Sequence, residues 1–258
     1  MPSVSRVAVV THGRADVADA VAEVERLARE RGIEVVDDSP DLVVVLGGDG
    51  TMLRALKRFL GADAPVIGVN YGRVGFLASM GKEDIESGLG RAFDGEFEVV
   101  ELPTLELDVG GQRHPAVNDV FASSGTLGRM VEVRWSIAGE GLGEVPCDGL
   151  IACTPSGSTA YNLSNGGPVL VWGLDAMAVT FVAPHSLHAR PLVVPRSRDL
   201  EITNLTGDVE LALLADGHEV GRIGEGESAR VRLADAVSLL ATLPEMTFFR
   251  RYRDTFAS

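Results

Sequence analysis

The segment LVVVLGGDGTMLRAL, residues 42–56, sets one carboxylate, Asp49, among three glycines, Gly47, Gly48 and Gly50, with Thr51 directly behind. Glycines let a backbone turn sharply and approach a ligand with no Cβ in the way. A helix opening after them offers main-chain N–H groups to phosphate oxygens. The order is not Walker A, since no Gly-Lys-Ser/Thr follows, and it lacks the G-x-G-x-x-G spacing of dinucleotide folds. A carboxylate in a phosphate cradle repels bare phosphate, so it makes chemical sense if it helps to hold Mg²⁺ or accepts a proton from a nucleophile. The competing reading is a tight strand–helix turn in which Asp49 or Thr51 caps the helix. A strand-like run before the glycines and helical spacing after them favour a site.

A second constellation, DGLIACTPSGSTAYNLSNGGP, occupies residues 148–168. Its short hydroxyl and amide side chains beside glycine suit a loop that closes on a polar ligand, and Asp148 is an acceptor for ribose hydroxyls or an exocyclic amine. Taken alone, it reads equally as a turn whose Ser and Thr satisfy their own backbone. No G-x-S-x-G elbow is present, so a serine hydrolase is unsupported. His185 and His188 lack acidic or cysteine partners at metal-ligand spacing. Cys147 and Cys153 read as small core residues rather than a redox pair, and Trp135 and Trp172 as packing.

These segments need elements to position them. The first ~95 residues alternate strand-like and helix-like runs, the pattern of a largely parallel α/β layer. Strands are expected at Arg6–Thr11, 42–46 and 65–69, and helices over 16–31, 51–60 and 83–93. From about Phe97 the texture turns to alternating runs separated by glycine-bearing turns such as Gly110-Gly111. The expected division is an α/β domain over 1–97, a β-rich domain over 98–240 and a terminal segment, 241–258. In that segment MTFFRRYR (246–253) docks back onto the core. The 258 residues leave ample apolar material, 45%, for cores of this size. A formal charge of −14 repels nucleic acid and anionic membranes. No apolar run is long enough to span a bilayer, and with only two cysteines a cytoplasmic location is expected.

Taken together, the sequence resembles the NAD kinase family, which phosphorylates the 2′-hydroxyl of the adenosine ribose of NAD. The resemblance runs through 47–51 (GGDGT), 72–77 (GRVGFL), Asn118-Asp119, 148–164, 184–191 (PHSLHARP), Asp216-Gly217 and Phe248-Phe249, in order. It implies a Rossmann-like α/β domain and a β-rich, sandwich-like C-terminal domain with the active site between them. It implies ATP as phosphoryl donor, Mg²⁺ or another divalent metal whose ligands are unassigned, NAD as acceptor, and a homo-oligomer, dimer or tetramer. By resemblance Asp49 is the catalytic carboxylate, and Gly48, Gly50, Thr51 and Arg54 lie against the nucleotide. Asn118 and Asp119 hold adenine and ribose, and Asp148 binds the nicotinamide half. Thr159, Ala160, Tyr161, Asn162, Leu163 and Ser164 form the loop around the substrate, with Ala183 and His218 as further contacts. Arg54, Arg73 and the N–H groups over 48–51 are the candidates for neutralising phosphate charge.

Three positions depart from the family pattern. Asp119 stands where glutamate is usual, Pro146 where many members carry arginine, and His218 where an amide is usual. Both ATP and polyphosphate, and both NAD and NADH, fit these motifs. The alternatives are a kinase of another nucleoside or lipid hydroxyl, or a silent NAD(P)-binding sensor; an NADP-dependent oxidoreductase lacks the expected glycine motif.

Overall fold

The computed structural model describes residues 4–11, 17–71 and 75–256. The chain divides into two compact units, Met1–Glu101 with Ser238–Ser258, and Leu102–Val237, beside the divisions expected at 97 and 240.

In the first unit the chain runs β1 (Arg6–Thr11), α1 (Ala18–Glu30), β2 (Glu34–Val35), β3 (Leu42–Gly47), α2 (Asp49–Arg58), β4 (Val66–Asn70), β5 (Met80–Gly81) and α3 (Ile85–Phe93). The strands pair in the order β4-β3-β1-β2, all parallel, and β5 extends the end of β4. Strand β3 is buried along its whole length, as expected of a parallel strand covered on both faces. Its Leu42, Val44 and Leu46 share a core with Ile67, with Val24, Leu27 and Ala28 of α1, and with Leu89 of α3. Asp16, the expected start of the first helix, lies outside the described residues. Helix α2 starts two residues before the expected Thr51, because Gly48 is extended (φ −100°, ψ −172°) and Asp49 already forms its first turn.

The second unit is built from β6 (Glu98–Val109), β7 (Gln112–Ala116), β8 (Asp119–Ser124), β9 (Val131–Ile137), β10 (Glu140–Cys147), β11 (Gly149–Cys153), α4 (Tyr161–Ser164), β12 (Ala176–Val182), β13 (Leu192–Pro195), β14 (Leu200–Asn204), β15 (Leu211–Ala215), β16 (His218–Ile223) and β17 (Ser228–Thr242). Two runs expected as separate strands, 97–102 and 105–109, merge into β6. It turns into β7 through Gly110 and Gly111, both at positive φ, 58° and 78°, as a tight hairpin requires. One sheet orders β10-β9-β14-β17 and the other β13-β12-β11-β8-β15-β16. Alternation is clear in β9, where Val131, Val133 and Trp135 are buried and Glu132 and Arg134 exposed. These residues share one core with Leu200, Ile202, Val120, Ala122, Leu150, Met177 and Leu211, which joins the two sheets into a sandwich.

The end of β17 then pairs parallel with β4, at Leu240 and Val66. It leads into α5 (Phe248–Phe256), whose Phe248 and Arg251 are buried. Among the described residues, no helix is long and apolar enough to cross a membrane.

Candidate active site

Asp49 stands where β3 ends and α2 begins, at the carboxyl edge of the parallel sheet, where ligands collect in such folds. It caps nothing: α2 has no side-chain cap. Its carboxylate is instead held by a neighbouring backbone. Phe76 N–H donates to Oδ2 at 2.7 Å and Leu77 N–H to Oδ1 at 3.1 Å. Gly75 makes that approach possible, since a Cβ there would overlap Asp49 Oδ1. A carboxylate offers about four lone-pair sites, so acceptor capacity remains beside this clamp. Gly72, Arg73 and Val74 of the same motif lie outside the described residues.

The glycines around Asp49 have different reasons. None of Gly47, Gly48 and Gly50 is at positive φ, so the turn itself does not demand them. At Gly47 a Cβ would sit 2.5 Å from Thr51 Oγ1, a packing requirement, whereas at Gly48 and Gly50 it would meet, beyond the local backbone, no atom of the described residues within 4 Å. Among the described residues nothing requires glycine at these two positions, and none of those residues fills the space a Cβ would take. The Thr51 N–H, one of the expected phosphate donors, is already bonded to the Gly48 carbonyl at 2.9 Å. Arg54 is exposed one turn on, with Nη2 at 3.4 Å from Thr51 Oγ1.

Behind the clamp lies a buried cation. Arg251 of α5 is 3% exposed. Its Nη1 donates to the carbonyls of Phe76 (3.0 Å) and Ala78, its Nη2 to Ser79 Oγ (3.2 Å) and Thr242 Oγ1 (2.7 Å), and its Nε to the Met246 carbonyl (3.2 Å). Burial pulls this guanidinium down to about 10, and the Asp49 carboxylate works against that fall, so it is charged at neutral pH. Phe76 is thus held through both of the peptide groups that flank it, and its ring packs on Phe248 at 5.4 Å and Phe256 at 6.1 Å. A cavity of about 530 Å³ opens beside this assembly, lined by Asn70, Gly75, Ser79, Arg250 and Arg251 among others.

In the second unit the turn before β8 is an organised hub. The Asp216 carboxylate accepts the N–H groups of Val117 (3.0 Å), Asn118 (2.8 Å) and Asp119 (3.4 Å), from a turn in which Asp216 itself has φ 52°. Thr154 Oγ1 donates to the Val117 carbonyl at 2.7 Å, and Ser156 Oγ to Asn118 Oδ1 at 3.2 Å. A Cβ on Gly157 would overlap the Asn118 carbonyl. The Asn118 amide oxygen is thereby occupied, which turns its NH₂ to the other side. Burial, with Asp216 beside it, pushes the Asp119 carboxyl up to about 6. His218 starts β16 with Nδ1 at 3.0 Å from the Asp216 carbonyl. Asp216 thus brings His218 to the turn that carries the consecutive residues Asn118 and Asp119, far from it in sequence.

Asp148 and Ala183 form a separate pair. The Asp148 N–H bonds the Val182 carbonyl at 3.0 Å, and Ala183 follows at a strained φ of 45°. They sit at the opposite end of β11 from Asp119, since Gly149 pairs with Ser123 and Cys153 with Asp119. The expected substrate loop is a 3₁₀ turn, Gly157–Thr159, then Ala160 and the short helix α4. Tyr161 is exposed with its ring edge-on to Phe121 at 5.3 Å, Ser164 is exposed as well, and Thr159, Ala160 and Leu163 are accessible in part. Asn162 differs: it is fully buried, its amide donating to the carbonyls of Ser158 and Pro168 and accepting from Thr180 Oγ1 at 2.7 Å. Its side chain holds the loop's shape and has no amide atom left for a ligand. Burial pushes the Cys147 and Cys153 thiols up to about 12, leaving them inert.

Sequence reasoning missed Gly75, the Phe76 and Leu77 N–H groups, Arg251, and the organising role of Asp216. The glycine of GRVGFL and the arginines of MTFFRRYR were visible signals, but neither motif says which backbone it will meet.

Against known proteins, residues 7–97 match the model of the ATP-NAD kinase N-terminal domain and residues 117–241 that of the ATP-NAD kinase C-terminal domain. The chain is 37% identical over 233 residues to an NAD kinase of Gemmatimonas aurantiaca, covering 87% of this chain and 80% of that one. It is 33% identical to an NAD kinase of Thermomicrobium roseum, covering 96% and 89%. Among solved structures it is similar to an NAD kinase from Archaeoglobus fulgidus in complex with ATP, with a TM-score of 0.80, 26% identity and coverage of 98% and 97%. It shares the fold of yeast NADH kinase complexed with NADH, TM-score 0.86 at 21% identity, covering 100% and 89%.

Proposed function

The chain belongs to the NAD kinase family, and from that membership we propose that Asp49 is the carboxylate that orients the 2′-hydroxyl of NAD and takes up its proton. The observation that carries this reading is the clamp. Two main-chain N–H groups fix the Asp49 carboxylate at a sheet edge, next to two glycines whose Cβ positions no described residue fills. A carboxylate is a weak base for a hydroxyl, but in the loose transition state of phosphoryl transfer the proton can leave late. Orientation is then the larger contribution, and a carboxylate held by rigid backbone supplies it with little reorganisation.

ATP is the proposed donor, and Arg54 with the N–H groups that precede Thr51 at the start of α2 would face its phosphate charge. Among the described residues no cluster of three His, Cys, Asp or Glu is placed to hold a metal. Asp49 is the carboxylate that would stand beside Mg²⁺ carried chiefly by substrate phosphates. When bound, Mg²⁺ would neutralise charge on the transferring phosphoryl group. In the second unit the Asn118 NH₂ group would donate to adenine and Asp119 would accept from ribose. Gly48, Gly50 and Thr51 would lie along the nucleotide, and the Thr159–Ser164 loop around it, with Asn162 contributing shape alone. Asp148, Ala183 and His218 are further proposed contacts. The proposed compartment is the cytoplasm, where ATP and NAD are both available, and the proposed assembly a homo-oligomer, which light scattering measures directly.

The test is purified protein with ATP, Mg²⁺ and NAD, read by an NADP-specific dehydrogenase. NADP accumulating in step with ADP supports the reading. Clear NAD binding without NADP would overturn it in favour of a silent sensor.

A further inference from the structure

We propose that Arg251, on the C-terminal helix, is a positioning residue for Asp49 and acts through the Phe76–Ser79 backbone. The proposal rests on the reading of Asp49 given above. One peptide, Phe76–Leu77, joins the two groups: its Leu77 N–H donates to Asp49 Oδ1 and its Phe76 carbonyl accepts from Arg251. The guanidinium spends its donors on five acceptors from three stretches of chain, the clamp itself (Phe76, Ala78, Ser79), the end of β17 (Thr242) and the turn into α5 (Met246). Only a planar fork with five N–H groups satisfies such a set; a lysine ammonium has three. A cation so deeply buried is an expensive way to hold a helix in place, and an apolar side chain would serve packing alone at least as well. What the guanidinium adds is a fixed height and tilt for the segment whose N–H groups aim at Asp49. The C-terminal helix is thereby part of the apparatus of turnover, although none of its side chains needs to touch a substrate.

The experiment compares Arg251→Lys with wild type in kcat, in NAD affinity by calorimetry, and in melting temperature. A positioning role predicts kcat lower by about 10- to 100-fold with the NAD dissociation constant within about twofold. It also predicts coupling: in an Asp49→Asn background, under single-turnover conditions, Arg251→Lys costs less than about twofold, because the group being positioned is gone. A melting temperature that falls while kcat per folded molecule holds, or an equal loss of rate in both backgrounds, would overturn it. Should Arg251→Lys fail to fold, Thr242→Val and Ser79→Ala each delete one acceptor and leave the guanidinium in place. A several-fold loss in kcat at unchanged NAD affinity then supports the proposal, and unchanged kcat in both rejects it. If Asp49→Asn alone retains wild-type turnover, the reading of Asp49 fails first, and this outcome is distinct from an indifferent Arg251.

Discussion

Asp49 keeps both oxygens on main-chain N–H groups and depends on a glycine to do so. Gly75→Ala therefore displaces the carboxylate from its clamp. The expected result is kcat lower by about 10-fold or more, with NAD binding nearly unchanged, seen in steady-state kinetics beside calorimetry. Asp119 makes a second residue-level case. Its carboxyl is raised to about 6 by burial and by Asp216. A folded-state value above the unfolded one means the folded protein holds a proton more tightly. Stability is then highest at acid pH and is lost as pH rises from about 4 through about 6, by an amount on the order of 3 kcal/mol. Asp119→Asn should raise the melting temperature at pH 7.5 and make little difference at pH 4. If Asp119 accepts from the ribose as proposed, NAD affinity of the wild type should weaken below pH 6 in a way the variant does not share.

At the scale of elements, turns rather than strands carry the recognition groups. Asp216 ties the turn before β8 to the turn before β16 by accepting three N–H groups. Leaving part-buried N–H groups without a partner costs about 1–3 kcal/mol each. Asp216→Ala should therefore lower stability by about 2 kcal/mol or more and raise the KM for NAD well beyond its effect on kcat. Asp216→Asn, which keeps an acceptor oxygen, should recover most of the loss. Thermal melts and kinetics on the two variants check the order. The strand–turn–helix around Asp49 was legible because its buried run, its glycines and its helical spacing are all local. The long strands β6 and β17 were not, since periodicity breaks at Pro103 and in Ala234-Asp235-Ala236 while pairing partners keep them extended. The start of α2 was misjudged by two residues because Asp49 looks like a cap in sequence, and only the position of Phe76 and Leu77 decides otherwise. The buried amide of Asn162 was equally invisible, for its partners Ser158, Pro168 and Thr180 are set by folding of the whole loop.

For the molecule as a whole, the texture change near Phe97 separates an α/β unit from a β-rich one because the period of apolar residues itself changes there. The residues proposed to serve the chemistry lie far apart in the chain: Arg251 stands about two hundred residues from Asp49, a separation no local pattern reports. A net charge of −14 sets a further expectation. Both substrates are anions, so long-range repulsion slows their approach, and salt screens it over about 10 Å at 0.1 M. Raising ionic strength from about 10 to 100 mM should increase kcat/KM for ATP by a few-fold, opposite to the trend of a basic nucleotide enzyme, as initial rates over a salt series would register.

The central claim is that Asp49 acts on the acceptor hydroxyl and does little for binding. Asp49→Asn keeps the shape and one acceptor oxygen while removing the charge and the base. The most direct measurement is NADP formation by this variant set beside its NAD dissociation constant. The account predicts turnover lower by about 10² to 10⁴ with affinity within about threefold. Turnover and affinity falling together, or turnover kept, would contradict it.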